Sequence, residues 1–212
     1  MEGRWTPPRS SGDGHDRDMA HRALALAASA GWRLQNGALT RNGAPLTLEI
    51  MVANRDQERL ALNYAGQLAR IGVAVQVRTV DEVQFQRRRQ RFDFDMMIGL
   101  WQASASPGNE QRMRWGGDSA EQEASYNLSG AKSPAIDAMI AALQAAQTEE
   151  DFVTAARALD RVLLSGFYVV PLYHNRDQWV AHWRRIAHPT TLPRYAQPLF
   201  GDVLETWWRK PD

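Results

Sequence analysis

The chain has no cysteine, which excludes disulfides and thiolate metal sites and leaves its compartment open. It also lacks an excess of charge. Twenty-five basic residues face 24 acidic ones, a net charge of +1. A nucleic-acid protein would concentrate basic charge, so no nucleic-acid partner is expected. No apolar run reaches the roughly 18 residues needed to span a bilayer. Met1 to Asp18 is rich in Gly, Ser, Pro, Arg and Asp; with no apolar core, it is not a signal peptide. The five histidines, His15, His21, His174, His182 and His188, form no H-x-H or H-x-x-x-H pair, so no metal site is expected. Gly116-Gly117-Asp118 lacks phosphate-loop spacing, and no cofactor is expected.

What is present is enough apolar residue, 44% of 212, for one large domain or one and a half. Residues 1–18 read as a loop or disordered tail. The Ala- and Leu-rich stretch His21 to Ala30 predicts a helix stopped by Gly31. Gly37, Asn42-Gly43 and Pro45 predict a turn or hairpin. Leu46, Leu48, Ile50 and Val52 alternate as a strand does. Leu60, Tyr64, Leu68 and Ile71 share a helical face ending at Gly72, and Val73, Val75 and Val77 predict a second strand. Asp81 can cap a helix running to about Arg91. Phe94 to Trp101 predicts a third strand, apolar enough to be buried on both faces. A β-α-β-α-β order implies right-handed crossovers and parallel pairing.

Residues 102–132 carry no periodic pattern and predict a long, functional loop. Ser133-Pro134 predicts a helix start, with Ile136, Met139, Ile140 and Leu143 on one face. Glu149, Glu150 and Asp151 favour a second start, with Phe152, Ala155, Leu159 and Val162 inward. Phe167 to Tyr173 predicts a fourth strand, and Pro171 places it at an edge or crossover. The chain beyond His174 is aromatic and proline-broken.

Several patterns invite a chemical reading. Ser129-Gly130-Ala131-Lys132 matches S-x-x-K, whose serine-hydrolase chemistry needs serine and lysine on successive faces of a helix start; here the helix begins after Lys132. Asp93 and Asp95 flank Phe94 and point the same way, as acid–base carboxylates do, but a solvated strand end is the favoured reading. Arg87, Arg88, Arg89 and Arg91 read as a solvated helix face. The eight tryptophans are unusual. Trp101 and Trp115 bracket the long loop, where rigid amphipathic rings suit recognition of a variable peptide; Trp179, Trp183, Trp207 and Trp208 fit packing better.

The order Ala30-Gly31-Trp32, Pro45 to Ile50, Arg78-Thr79-Val80-Asp81, Phe92 to Met96, Ser106 to Arg112, Pro134 to Asp137, Arg157 to Leu163 and Val169 to Leu172 closely resembles the C-terminal lobe of dipeptide/oligopeptide solute-binding proteins of bacterial ABC importers, and within them the YejA-type branch. The resemblance implies an α/β fold. It is a periplasmic-binding-protein type II-like lobe, its mixed sheet flanked by helices over residues 19–167, with an irregular crossover and return segment over 168–212. It further implies a periplasmic peptide binder without catalysis, whose partners are an oligopeptide and permease subunits in the inner membrane. The expected ligand contacts are Trp101, Ser106, Asn109, Glu110, Trp115, Tyr126 and Asn127. Tyr126 departs from the branch, where an Arg stands. The alternatives are a serine hydrolase using Ser129 and Lys132, or a truncated fragment that has lost the other lobe and its function.

Overall fold

The computed structural model describes residues 6–9, 12, 14, 16–100, 106–173, 181–191 and 206–211. Helix α1 spans Arg17–Ser29 and starts earlier than its apolar stretch implies, because the Asp16 carboxylate accepts from Met19 N and caps it. Strands β1 (Arg33–Gln35), β2 (Ala38–Arg41) and β3 (Ala44–Pro45) form an antiparallel sheet. Both connections are Asn-Gly pairs, Asn36-Gly37 and Asn42-Gly43, and all four residues have positive φ. That is the backbone a two-residue hairpin turn with the right twist requires.

Strands β4 (Thr47–Val52), β5 (Ala74–Thr79) and β6 (Met96–Met97) build a parallel sheet in the order β5-β4-β6. Helix α2 (Arg55–Ala69) connects β4 to β5, and α3 (Glu82–Gln90) connects β5 to β6. Asn54 caps α2 by accepting from the Asp56 and Gln57 amides, and Asp81 caps α3 by accepting from Gln84 N. The central strand carries the sheet's burial: Ile50, Met51 and Val52 are inside, and Ala61 of α2 packs on Ile50 and Val52. After α2, Gly72 turns the chain at φ 83°, and Leu39 N donates to its carbonyl at 2.7 Å. A Cβ at Gly72 would sit 2.8 Å from Leu39 N, so only glycine lets the hairpin sheet approach the crossover.

The third strand is a correction. Phe94 to Trp101 is not one long strand buried on both faces. β6 is two residues long at the sheet edge, Met96 and Met97 are half-buried, and Leu100 is 85% exposed. An edge strand has one neighbour, and β6 pairs with β4 only at Ile50 and Met51.

A second core lies in the helices. Helix α5 (Pro134–Ala145) and α6 (Glu149–Ser165) bury Ile136, Ile140, Leu143, Ala155 and Leu159 against Trp115 and Ala131. Burying each large aliphatic side chain is worth about 1.5–3 kcal/mol. Pro134 occupies the first turn of α5, but the Ser133 side chain makes no cap bond; Thr148 does cap α6, accepting from Asp151 N. The segment before α5 is also a correction: it holds a short helix, α4 (Glu110–Trp115), and a 3-10 turn, Gly117–Ser119. Six residues with one buried side chain leave no periodicity to detect.

Residues 168–173 form no strand, contrary to expectation. They pair with no strand among the described residues, and Val169, Val170, Leu172 and Tyr173 are exposed. Further on, β7 (Ile186–Ala187) and β8 (Trp208–Arg209) pair antiparallel. No helix among the described residues is long and apolar enough to cross a membrane.

Candidate ligand-binding site

All three parallel strands point their carboxyl ends the same way, at Val52, Thr79 and Met97. A chain leaving that edge enters the crevice where open α/β sheets take ligands. The segment following β6 carries Ser106, Asn109 and Glu110. Trp101 lies outside the described residues.

The loop at 106–110 is organised by its own carboxylate. Gly108 N donates to both oxygens of Glu110 at 3.0 Å, and Gln111 Nε2 donates to Oε1 at 3.1 Å. Burial pushes the Glu110 carboxyl up. The amides of Gly108 and of Glu110 itself, the Gln111 amide and the nearby Arg114 charge outweigh this and leave it below the ordinary range. Asn109 is exposed, and its Oδ1 accepts from Gln144 Nε2 of α5 at 3.0 Å. Ser106 is exposed. A polar, preorganised loop thus follows the edge strand in sequence and is anchored to the helical core at Asn109.

Three of the expected contacts have other partners in the structure. Asn127 has no exposed surface. Its Nδ2 donates to Gly116 O at 3.1 Å and Ala131 O at 2.8 Å, and its Oδ1 accepts from Ala131 N at 2.9 Å. A side chain with its groups so engaged inside the protein holds a loop together rather than meeting a ligand. Trp115 is 8% exposed and belongs to the α5–α6 core, its ring 6.3 Å from that of Tyr168. Tyr126 is 51% exposed, but the Arg89 guanidinium of α3 sits 5.8 Å from its ring centroid. Since α3 carries the chain from the carboxyl end of β5 back to the start of β6, its last turn lies at the opposite edge of the sheet. Ala124 N to Gln90 O at 2.8 Å and Arg91 to Glu123 at 3.8 Å place the 123–126 segment at that same edge.

The Ser129–Lys132 pattern is organised differently from a hydrolase site. Lys132 Nζ pairs with Glu121 Oε1 at 2.7 Å, a hydrogen bond and charge that raise the lysine pKa. Ser129 Oγ donates to Asn127 Oδ1 at 3.4 Å. A catalytic lysine base requires the opposite shift.

Sequence reasoning also missed an ion cluster. Arg88 and Glu49 have side chains only 18% and 20% exposed. Arg88 donates to Glu49 at 2.7 Å and to Asp93 at 3.0 Å, and Arg78 reaches Glu49 at 3.1 Å. Asp95 accepts from Glu49 N at 2.8 Å. The Arg run is therefore not uniformly solvated, and Asp93 and Asp95 tie α3 and β6 to β4. A charged residue at an inward β4 position, Glu49, was the available signal. Among the described residues no group of three or more His, Asp or Glu could hold a metal.

Residues 4–123 match the model for bacterial extracellular solute-binding proteins, family 5 Middle. The chain belongs to this family. A Brucella suis protein named provisionally as a binding protein is 49% identical over 209 residues, covering 98% of this chain and 33% of the relative. Peptidoglycan-binding protein YepA of Agrobacterium fabrum is 41% identical over 209 residues, with the same shares covered. YejA of Escherichia coli is 32% identical over 207 residues, 96% of this chain and 33% of the relative. The chain thus spans about a third of the length of the curated relatives it matches. Among solved structures, Bacillus subtilis oligopeptide-binding protein AppA, in complex with a nonapeptide, superposes with TM-score 0.67 at 16% identity, over 90% of this chain and 37% of that one. The mannohexaose-bound periplasmic oligopeptide-binding protein of Thermotoga maritima gives TM-score 0.65 at 19% identity, over 74% of this chain and 31% of that one. Both share the fold, which is the expected type II-like α/β architecture.

Proposed function

We propose that this chain supplies one wall of the ligand cleft in the substrate-binding component of a bacterial ABC importer for oligopeptides. The observation that carries the reading is the Gly108–Glu110 loop, organised by the Glu110 carboxylate and following the edge strand of a parallel sheet along the sequence of a family 5 chain. Ser106 and Asn109, with Trp101 before them, are the ligand contacts in this reading, and Glu110 is a positioning residue. Residues 19–167 act as the lobe, and residues 168–212 cross over and return. The names of relatives support a peptide ligand: Agrobacterium fabrum YejA, 38% identical, has a name that gives peptide binding as its expected role. The partners are an oligopeptide in the periplasm and permease subunits in the inner membrane, which sense closure over the ligand. The function is binding without turnover.

One wall encloses a ligand from one side, and tight binding needs most of its surface covered. Titration of the isotope-labelled chain with tetrapeptides is therefore expected to shift the Gly108, Asn109 and Glu110 amides, with Kd in the range of about 1 mM or weaker. No shift at these amides at tens of millimolar peptide, or shifts confined to other residues, overturns the reading. Incubation with an activated ester is expected to leave Ser129 unmodified. An acyl adduct there would establish the hydrolase alternative.

A further inference from the structure

The 106–110 loop has a second anchor besides the Glu110 carboxylate. Gln144, in the last turn of α5, donates through Nε2 to Asn109 Oδ1 at 3.0 Å, across 35 residues of sequence. Its neighbour Leu143 is 3% exposed and packs in the helical core, so the Gln144 backbone is fixed. The bond therefore ties an exposed loop side chain to a rigid element, which is how a site residue is held in one geometry.

A side-chain amide carries one oxygen that accepts and one nitrogen with two N–H donors. Engaging Oδ1 with Gln144 leaves Nδ2, which has no hydrogen-bond partner among the described residues and belongs to an exposed side chain. Neighbouring acceptors are engaged inside the loop as well. The Glu110 carboxylate accepts from Gly108 N and Gln111 Nε2. Gly108 O accepts from Gln111 N at 3.1 Å, and Asn109 O from Arg112 N at 3.2 Å. At residue 109 the loop thus offers N–H rather than a lone pair.

From the Gln144–Asn109 bond we infer that Asn109 meets the ligand as a donor, its Nδ2 hydrogen-bonding a main-chain carbonyl oxygen of a peptide, and that Gln144 is the positioning residue that keeps the amide turned that way. The inference rests on the site proposed above and adds which polar group of the ligand residue 109 takes. The ammonium group of a peptide N-terminus has only donors, so it cannot accept from Nδ2. A terminal carboxylate would stand beside the Glu110 carboxylate, whose lowered pKa keeps it ionised at neutral pH, and like charges close together repel. A main-chain carbonyl is neutral and can only accept. Every peptide carries such carbonyls whatever its side chains, so one contact of this kind serves peptides of varied sequence.

The test is titration of the isotope-labelled chain, 1–212, followed by nuclear magnetic resonance. The probes are a tetrapeptide with free termini and the same peptide N-acetylated and C-amidated, which is neutral and keeps only carbonyl oxygens as acceptors. Both are expected to shift the Asn109 side-chain NH2 signal. N109D keeps an oxygen for Gln144 but lacks the donor, and is expected to weaken binding of the capped peptide about three- to ten-fold, as loss of one hydrogen bond does. In Q144E the side chain can only accept, which turns the Asn109 amide over and is expected to weaken binding equally. Q144K still donates and is expected to stay within about two-fold of wild type. Circular dichroism checks that these surface variants remain folded. Binding undiminished in N109D, binding by Q144E as tight as by Q144K, or a side-chain NH2 shift with the free peptide alone each overturns the inference; the proposed site still stands in those cases if the Gly108 and Glu110 backbone amides move. If no amide of residues 108–110 moves with either peptide, the site itself fails and the inference falls with it.

Discussion

Asn127 and Ala131 exchange two hydrogen bonds: the asparagine amide donates to the Ala131 carbonyl at 2.8 Å, and the Ala131 amide donates back to its Oδ1 at 2.9 Å. Both residues have no exposed surface, and the third bond, to Gly116 O, draws in the end of α4. Asn127 thus closes the 116–131 segment onto the core. Asn127→Ala strands buried polar groups, each costing about 1–3 kcal/mol. A loss of about 2–4 kcal/mol in urea unfolding is expected. Asn109→Ala, at an exposed site with one neutral side-chain bond, is expected to cost less than about 1 kcal/mol.

The helical core sets the larger scale. Ile140 is 3% and Leu159 4% exposed, in one cluster with Trp115. Truncating either to alanine loses burial and leaves a cavity, for an expected cost of about 2–5 kcal/mol. The same unfolding curves that test Asn127 read this directly. A cost near zero would mean that α5 and α6 do not pack as described.

Acid should loosen the 106–110 loop. The Glu110 carboxyl lies below its ordinary value of 4.5 in the folded chain, so the unfolded chain binds the proton more readily. Its contribution to stability is full above pH 4.5 and is lost as pH falls through the lower folded value. The wild-type chain is expected to lose stability across that window, and Glu110→Gln is expected to flatten that part of the pH profile. A variant with an unchanged profile would show that the Gly108 amide does not need the charge.

Exposed apolar surface should be visible in solution. Phe167, Val169, Val170, Leu172 and Tyr173 follow one another along the chain at 43–75% exposure. Contiguous patches of this kind promote association or await a partner. The chain of residues 1–212 is expected to bind a hydrophobic dye and to scatter light as more than a monomer. Replacing Val169, Val170 and Leu172 by serine or threonine should reduce both signals without lowering helix content.

The Arg88–Glu49 pair is expected to be costly to break and cheap to replace. Among the described residues, Arg88→Met leaves Glu49, 20% exposed, paired with the outer Arg78 alone. A loss of about 1–3 kcal/mol is expected. Arg88→Met combined with Glu49→Met is expected to recover part of that loss. Thermal unfolding of the two variants provides the comparison.

Local signals accounted for much of the fold. Gly37 and Asn42-Gly43 marked a turn or hairpin, Asp81 marked a helix cap, and the alternation in β4 and β5 was plain; Asn54 and Thr148, which cap α2 and α6, are additions from the structure. Each depends on neighbours within a few residues, which sequence order displays. The site was legible only in part. The position of the 106–110 loop after a strand could be read. The inward turn of Asn127, the packing of Trp115 and the pairing of Tyr126 with Arg89 could not, because their partners lie 4 to 53 residues away.

Order along the chain therefore determined which segments could become strands and helices, and which family they resemble. Tertiary structure decided how far those tendencies were realised. Phe94 to Leu100 is apolar enough for a central strand, yet it pairs with the six-residue β4 at two positions only, Met96 and Met97. The apolar run at 168–173 pairs with no strand among the described residues and stays exposed. Hydrogen bonding and burial are properties of two surfaces that meet, and a single segment specifies only one of them.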